Sequence, residues 1–174
     1  MSVGGSGPGR SGGPVGGSYT PGRRTGGMVL LVPFDGSELS TAALRRAAEF
    51  SELTDEPLVA LSVLTDDERF ARERGWVGAD EPYDPDAIAE RLEAAVREVA
   101  PDATFRHERP SDAGEMATTT MDVARTIREV AREVDASVVF VGSENAGRVS
   151  TPISSVGSPV SEDPDYDVHI VRRP

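Results

Sequence analysis

The sequence switches repeatedly between short, unbroken apolar runs and longer stretches whose apolar residues recur every three to four positions. Residues 28–34 (MVLLVPF) are the clearest run, bounded by Gly26-Gly27 on one side and Asp35-Gly36 on the other. A strand with one wet face alternates, so an unbroken run predicts a strand covered on both faces. Behind it, Ser37 is placed to cap a helix in which Leu39, Ala43, Ala47 and Phe50 share a face up to about Leu53. Residues 58–64 read as a second buried strand, and residues 138–141, closed by Gly142, as another. Residues 103–108 alternate instead, Ala103, Phe105 and His107 against Thr104, Arg106 and Glu108, which predicts an edge strand with one wet face. Asp84-Pro85 supplies a cap and a first-turn proline for a helix with Ile88, Leu92, Ala95, Val96 and Val99 on one face. Thr120, Ala124, Ile127, Ala131 and Val134 form another helix face, ending at Asp135. A last short strand covers residues 168–171, opening on Val168 and closing on Val171. Strands alternating with helices predict an α/β fold, an open parallel sheet with helices on both faces and right-handed crossovers. Residues 65–83 are acidic, hold Gly75, Gly78 and Trp76, and are long for a connection, so a lid or a short extra helix is expected there.

Composition bounds the rest. Residues 1–27 hold eleven Gly, three Pro, three Arg and no acid, too little apolar surface to offset the entropy of ordering. The expectation is a disordered Gly/Pro/Arg-rich tail at 1–27 and one domain over 28–174, long enough for a single core. With three of the 18 basic residues in the tail, the body sets 15 basic against 30 acidic residues. Such a body repels phosphate backbones and anionic lipid, so no nucleic-acid or membrane partner is expected. Every basic residue is Arg and none is Lys. Together with a pI near 4.6, this points to a halophilic cytosol in which dense carboxylates hold water and their repulsion is screened. Without Cys there is no disulfide, thiol nucleophile or thiolate metal site. No apolar run approaches the ~18 residues of a membrane span. Arg23-Arg24 faintly resembles a twin-arginine export signal, but the apolar run behind it is short and meets Asp35 without a cleavage site. A cytoplasmic protein is the expectation.

In open parallel sheets, ligands bind beyond the carboxyl ends of the strands where the strand order reverses. Two segments end strands in that manner. In Val32-Pro33-Phe34-Asp35-Gly36-Ser37, a carboxylate stands at a tight turn and can accept hydrogen bonds from ribose hydroxyls or an adenine amino group. The same residues would also serve simply to turn and cap the chain. The second segment starts Gly142-Ser143-Glu144-Asn145-Ala146-Gly147-Arg148 and continues to Gly157-Ser158. Its glycines let backbone N–H groups approach an anion, and Gly157 and Ser158 could add an amide and a hydroxyl to a phosphate. A polar surface loop would look the same. It is not a Walker loop, since the Lys and the spacing are missing.

In this order and spacing, the two segments resemble the universal stress protein family. The shared pieces are Val32-Pro33-Phe34-Asp35-Gly36-Ser37, the helix of small residues behind it, Val138-Val139-Phe140-Val141-Gly142-Ser143, and Gly147 with nine residues before Gly157-Ser158. The resemblance spans roughly residues 28–173. It implies five parallel strands in order 3-2-1-4-5 and a homodimer formed through the last strand, Val168 to Val171. One branch of the family binds ATP, with Mg, and another does not. On the ATP branch the resemblance implies that Pro33, Phe34 and Asp35 line the adenosine and Val63 offers backbone to the adenine edge. Gly142, Gly147, Gly157 and Ser158 would surround the phosphates. The sequence departs from the family pattern at the phosphate end. Four residues rather than two separate Gly142 from Gly147, Glu144 brings a like charge, and Arg148 is the loop's only cation. Pro159 removes an amide donor, and Pro164 cuts the following helix short. The implied function is a nucleotide-binding stress-response homodimer that acts by association rather than turnover. The alternatives are a regulatory dimer with a degenerate, non-ATP-binding site, and an ATP-dependent enzyme of a related fold. Such enzymes tend to carry a Ser-Gly-Gly-x-Asp-Ser loop after the first strand, which residues 33–37 do not match.

The remaining signals read as structural. His107 and His169 are isolated, Ser143 lacks a Gly-x-Ser-x-Gly frame, and neither Asp66-Asp67 nor the acids at 84–86 have calcium-loop spacing. Arg69, Arg72 and Arg74 are expected to pair with Asp66, Asp67, Glu68 and Glu73 rather than to reach over a ligand. If the acidic, Lys-free surface reports a saline cytosol, the melting temperature should climb with molar KCl in a thermal scan; a flat response contradicts it.

Overall fold

Each unbroken apolar run becomes an inner strand, and each stretch of helical period becomes a cover. The computed structural model describes residues 28–110, 119–142 and 166–173. In chain order the elements are β1 (Val29–Pro33), α1 (Glu38–Thr54), β2 (Leu58–Val63), α2 (Glu68–Glu73), α3 (Pro85–Val99), β3 (Thr104–Glu108), α4 (Thr119–Glu133), β4 (Ala136–Gly142) and β5 (Asp167–Val171). The strands form one sheet in the order β3-β2-β1-β4-β5, and every neighbouring pair is parallel. The fold class and strand order are those expected.

The two-residue period of a strand sorts side chains between the faces of the sheet. Leu30 and Val32 of β1, Leu58 and Ala60 of β2 and Phe140 of β4 pack with Ala43, Leu44 and Ala47 of α1 and with Ile88, Leu92 and Val96 of α3. Leu31, Leu61, Val63, Val139 and Val141 take the other face and meet Val123, Ala124, Ile127, Val130 and Ala131 of α4. Leu30, Leu31 and Val32 are essentially sealed from water, which is why β1 shows no alternation. Local chemistry sets the ends of the helices. The Ser37 hydroxyl accepts from the Ser40 N–H at 3.1 Å, Asp84 caps α3 with Pro85 in its first turn, and Asp55 and Asp135 close α1 and α4 in the left-handed conformation.

Three expectations are corrected. Phe50 does not join the buried face of α1; Leu44 does, while Phe50 leans over the sheet margin and meets Phe140 and His169 edge-on, at 5.3 and 5.6 Å between ring centroids. The outer face of β3 is not simply wet. Arg106 stands on it and bridges Glu108 on its own strand at 2.6 Å and Glu133 of α4 at 2.8 Å, so that face is spanned by an ion-pair network. β4 begins two residues before its apolar run, because Ala136 pairs with Val29 and the Ser137 hydroxyl donates to the Val29 carbonyl at 3.3 Å. The stretch at 65–83 holds the short helix α2, the second of its two expected forms.

β4 also runs close under the start of α1. A Cβ built on Gly142 would lie 2.8 Å from the Leu39 carbonyl carbon, inside any real contact and against backbone that cannot swing away. Gly142→Ala should therefore push α1 off β4 and cost about 1–3 kcal/mol, as overpacking generally does. Urea unfolding of the variant against the parent checks this.

Candidate functional site

β1 is the strand at which the chain changes direction. From it the order runs through β2 to β3 on one side and through β4 to β5 on the other. β1 and β4 are parallel neighbours, with Leu31 paired to Val139, so Asp35 and Gly142 leave the sheet at the same rim. Parallel sheets bind ligands at such a switch point.

The turn there is built by Gly36, whose φ of +77° bends the chain from strand to helix with little room, a Cβ meeting Leu92 Cδ2 at 3.2 Å. That bend folds the Asp35 carboxyl back over the start of α1. The Ser37 N–H donates to Asp35 Oδ1 at 3.0 Å, and the Asp35 N–H faces the Ser40 hydroxyl at 3.4 Å. Arg74 Nη1 donates to the other carboxylate oxygen, and Trp76 Nε1 donates to the Asp35 carbonyl at 2.7 Å. Burial by itself pushes this carboxyl up; the Ser37 and Ser40 hydrogen bonds and the Arg74 charge outweigh it and hold it below the ordinary 3.8. Asp35 is thus kept ionised and hydrogen-bonded at the mouth of the switch point.

Pro33 ends β1, half-buried. Phe34 is in the core; its N–H donates to the Leu61 carbonyl at 2.8 Å and its own carbonyl accepts the buried Ser62 hydroxyl at 2.7 Å. Val63 closes β2 with its side chain toward α4 and its backbone paired beside Glu108. Two residues on, Thr65 Oγ1 is buried without a hydrogen-bond partner, and the Thr65 carbonyl accepts the Tyr83 hydroxyl. Gly142 stands against Leu39 as described. Gly147, Gly157 and Ser158 lie outside the described residues, as do Ser143, Glu144, Arg148, Pro159 and Pro164.

Arg74 overturns an expectation. Arg69 and Arg72 pair along α2 with Glu73 at 3.0 Å and Glu68 at 2.6 Å, but Arg74 reaches Asp35, 39 residues earlier. The end of α2 explains the difference. The Trp76 N–H donates to the Ala71 carbonyl at 2.9 Å, the Gly75 N–H to the Arg72 carbonyl at 3.0 Å, and Gly75 has φ +72°. That pattern is a Schellman cap, which reverses the chain and sends the residue after the glycine back against the helix. Trp76 and Val77 are buried by it, and Arg74 is left on the inner side with its guanidinium carbon 4.9 Å from the Phe70 ring centroid. Neither Arg74 nor Trp76 was expected at the site. The visible signal was Gly75 behind a short helix and just ahead of the chain's only Trp.

Among the described residues, no group of three His, Cys, Asp or Glu is placed to hold a metal ion. Among them, too, no helix is long and apolar enough to cross a membrane.

The sequence profile of the universal stress protein family matches residues 28–172. The chain belongs to that family. A search of curated proteins gives no match. Among solved structures, a universal stress protein in complex with cAMP is 21% identical with a TM-score of 0.57, over 86% of this chain and all of that one. UspA from Lactobacillus plantarum is 18% identical with a TM-score of 0.57, over 83% of this chain and 97% of that one. The Archaeoglobus fulgidus universal stress protein in complex with dAMP is 16% identical with a TM-score of 0.54, over 83% of this chain and 97% of that one. At these identities the likeness establishes the fold. This universal stress protein shares its fold with them, and Asp35 stands on the rim where its own strand order reverses.

A carboxyl held low in the folded chain binds its proton less readily there than in the unfolded chain. Its contribution to stability is therefore fully present above the unfolded value near 3.8 and is lost as pH falls through the lower folded value. Asp35→Asn removes that contribution. Unfolding midpoints in urea should fall more steeply for the parent than for the variant below about pH 4; parallel curves contradict the assignment.

Proposed function

We propose that this universal stress protein binds an adenine nucleotide at the rim shared by β1 and β4, and that the nucleotide is ATP carrying Mg. The observation that carries the reading is the ionised Asp35 carboxylate, partly exposed at the topological switch point and of the chemistry that ribose hydroxyls or an adenine amino group require. Pro33, Phe34 and Asp35 are proposed beside the adenosine, with backbone at Val63 toward the adenine edge. Gly142, Gly147, Gly157 and Ser158 are proposed around the phosphates. The cAMP and dAMP complexes of two structural neighbours support an adenine ligand.

The proposal extends to assembly and role. The binding domain is taken as residues 28–174, and two copies associate through β5. β5 is an edge of the sheet, and Ile170 on it is 40% exposed. The protein acts in the cytoplasm in a stress response, by association rather than turnover. A second reading, a dimer without a nucleotide, is favoured by one observation: Arg74 already occupies one Asp35 oxygen.

Calorimetry in molar KCl separates the two readings. Saturable binding of an adenine nucleotide is expected, weakened about tenfold or more by Asp35→Asn, since hydrogen bonds to a charged group contribute about 1.5–3 kcal/mol. Absence of heat with ATP, AMP and cAMP sinks the nucleotide reading.

A further inference from the structure

We propose that Arg74 is a resident counter-ion that changes partners when ligand arrives, leaving Asp35 for the ligand phosphate and so making the site select nucleotides over nucleosides. This rests on the reading of the rim as a nucleotide site and goes beyond it by naming what selects the ligand.

Asp35 has no oxygen standing idle. Oδ1 takes the Ser37 N–H, Oδ2 takes Arg74, and the carbonyl takes Trp76. The Arg74 and Asp35 side chains are 30% and 26% exposed, so each is partly desolvated and depends on the other. A nucleoside that places a hydroxyl on Oδ2 replaces a charged donor with a neutral one and leaves a guanidinium without an anion, which is unfavourable in a partly dry site. A phosphate on the same ligand gives the guanidinium an anion that it can grip with two N–H groups, so the exchange becomes balanced in charge.

Two further features make Arg74 the group for this exchange. The first is that its backbone is pinned while its side chain is not locked into a cluster. Gly75, Trp76 and Val77 are held by the Schellman cap and by burial, so the exchange needs only rotation of one long side chain over the Phe70 face. The second is how the charges of the rim are paired. In a parallel sheet with crossover helices, the helix starts share the rim with the strand ends, and Glu68, Asp86 and Asp122 in the first turns of α2, α3 and α4 pair with Arg72, Arg109 and Arg125. Arg74 differs from those arginines in that its partner is the carboxylate at the switch point itself. A ligand that engages Asp35 therefore displaces Arg74 first, and a phosphate on that ligand gives it a new anion.

The test is a set of titrations of the full chain with adenosine, AMP and ATP at constant ionic strength, on the parent and on Arg74→Gln and Arg74→Lys. The parent is expected to bind AMP at least tenfold more tightly than adenosine. Arg74→Gln is expected to bind adenosine more tightly and AMP more weakly than the parent, bringing the ratio near one, while Arg74→Lys keeps part of the preference. A second measurement needs no variant: millimolar inorganic phosphate, against KCl of equal ionic strength, should raise the adenosine affinity of the parent several-fold by taking Arg74. An unchanged AMP-to-adenosine ratio in Arg74→Gln, or phosphate that leaves adenosine binding unchanged or weakens it, overturns the role of Arg74 while nucleotide binding stands. Absence of binding by any of the three adenine compounds to the parent overturns both.

Discussion

The burial of β1 between two parallel neighbours is the constraint from which the other placements follow. Because β2 and β4 bond to its two edges while α1 with α3 and α4 cover its two faces, Leu30, Leu31 and Val32 are removed from water in three successive residues. Each such side chain contributes on the order of 1.5–3 kcal/mol when fully buried. The strand therefore cannot slip by one residue without exchanging two sealed faces. A fixed register at β1 fixes the height at which the chain turns at Gly36, and with it the position of the Asp35 carboxyl relative to the end of β4.

The same rigidity shapes the electrostatics. Asp35 sits where burial disfavours charge, and it is kept charged by groups from two places: the start of α1 through Ser37 and Ser40, and the cap of α2 through Arg74, while Trp76 from the same cap holds the Asp35 carbonyl. None of these is a floppy surface partner. The α1 donors come with the helix cap, and Arg74 comes with a turn whose next residues are buried. The segment between β2 and α3 is thus part of the rim, tied in its middle by Trp76 to Asp35 and closed on itself at its ends by Tyr83 and Thr65.

The inner strands, the capped starts of α1 and α3 and the edge position of β3 were legible because each depends on a period or a local hydrogen bond that neighbouring residues determine. Ser37 and Asp84 cap helices wherever helices follow them. Asp35 and Gly142 were legible as strand ends for the same reason. Arg74 was not. Its choice between Glu73 nearby and Asp35 far away turns on a chain reversal whose outcome depends on where Trp76 finds apolar cover, a tertiary question. Phe50 and Arg106 departed for a related reason: at the margins of a sheet, a periodic pattern does not say whether the next layer extends far enough to cover a side chain. In the sequence the small size of Gly142 suits the approach of a ligand; in the structure it keeps the strand clear of the Leu39 backbone.

The excess of acids carries a kinetic consequence. Those in the helix first turns stabilise their own helices at the positive end of the helix dipole, and three of them pair with arginines; the body as a whole, with 15 basic against 30 acidic residues, still carries a net negative field. At low ionic strength that field extends about 30 Å and slows the encounter of any anionic ligand with the rim. At 1 M salt its reach shrinks to about 3 Å, little more than one contact distance. Concentrated electrolyte thereby opens the approach to Asp35 without moving an atom of the fold, and makes the association rate of this rim a function of the solvent in which the protein lives.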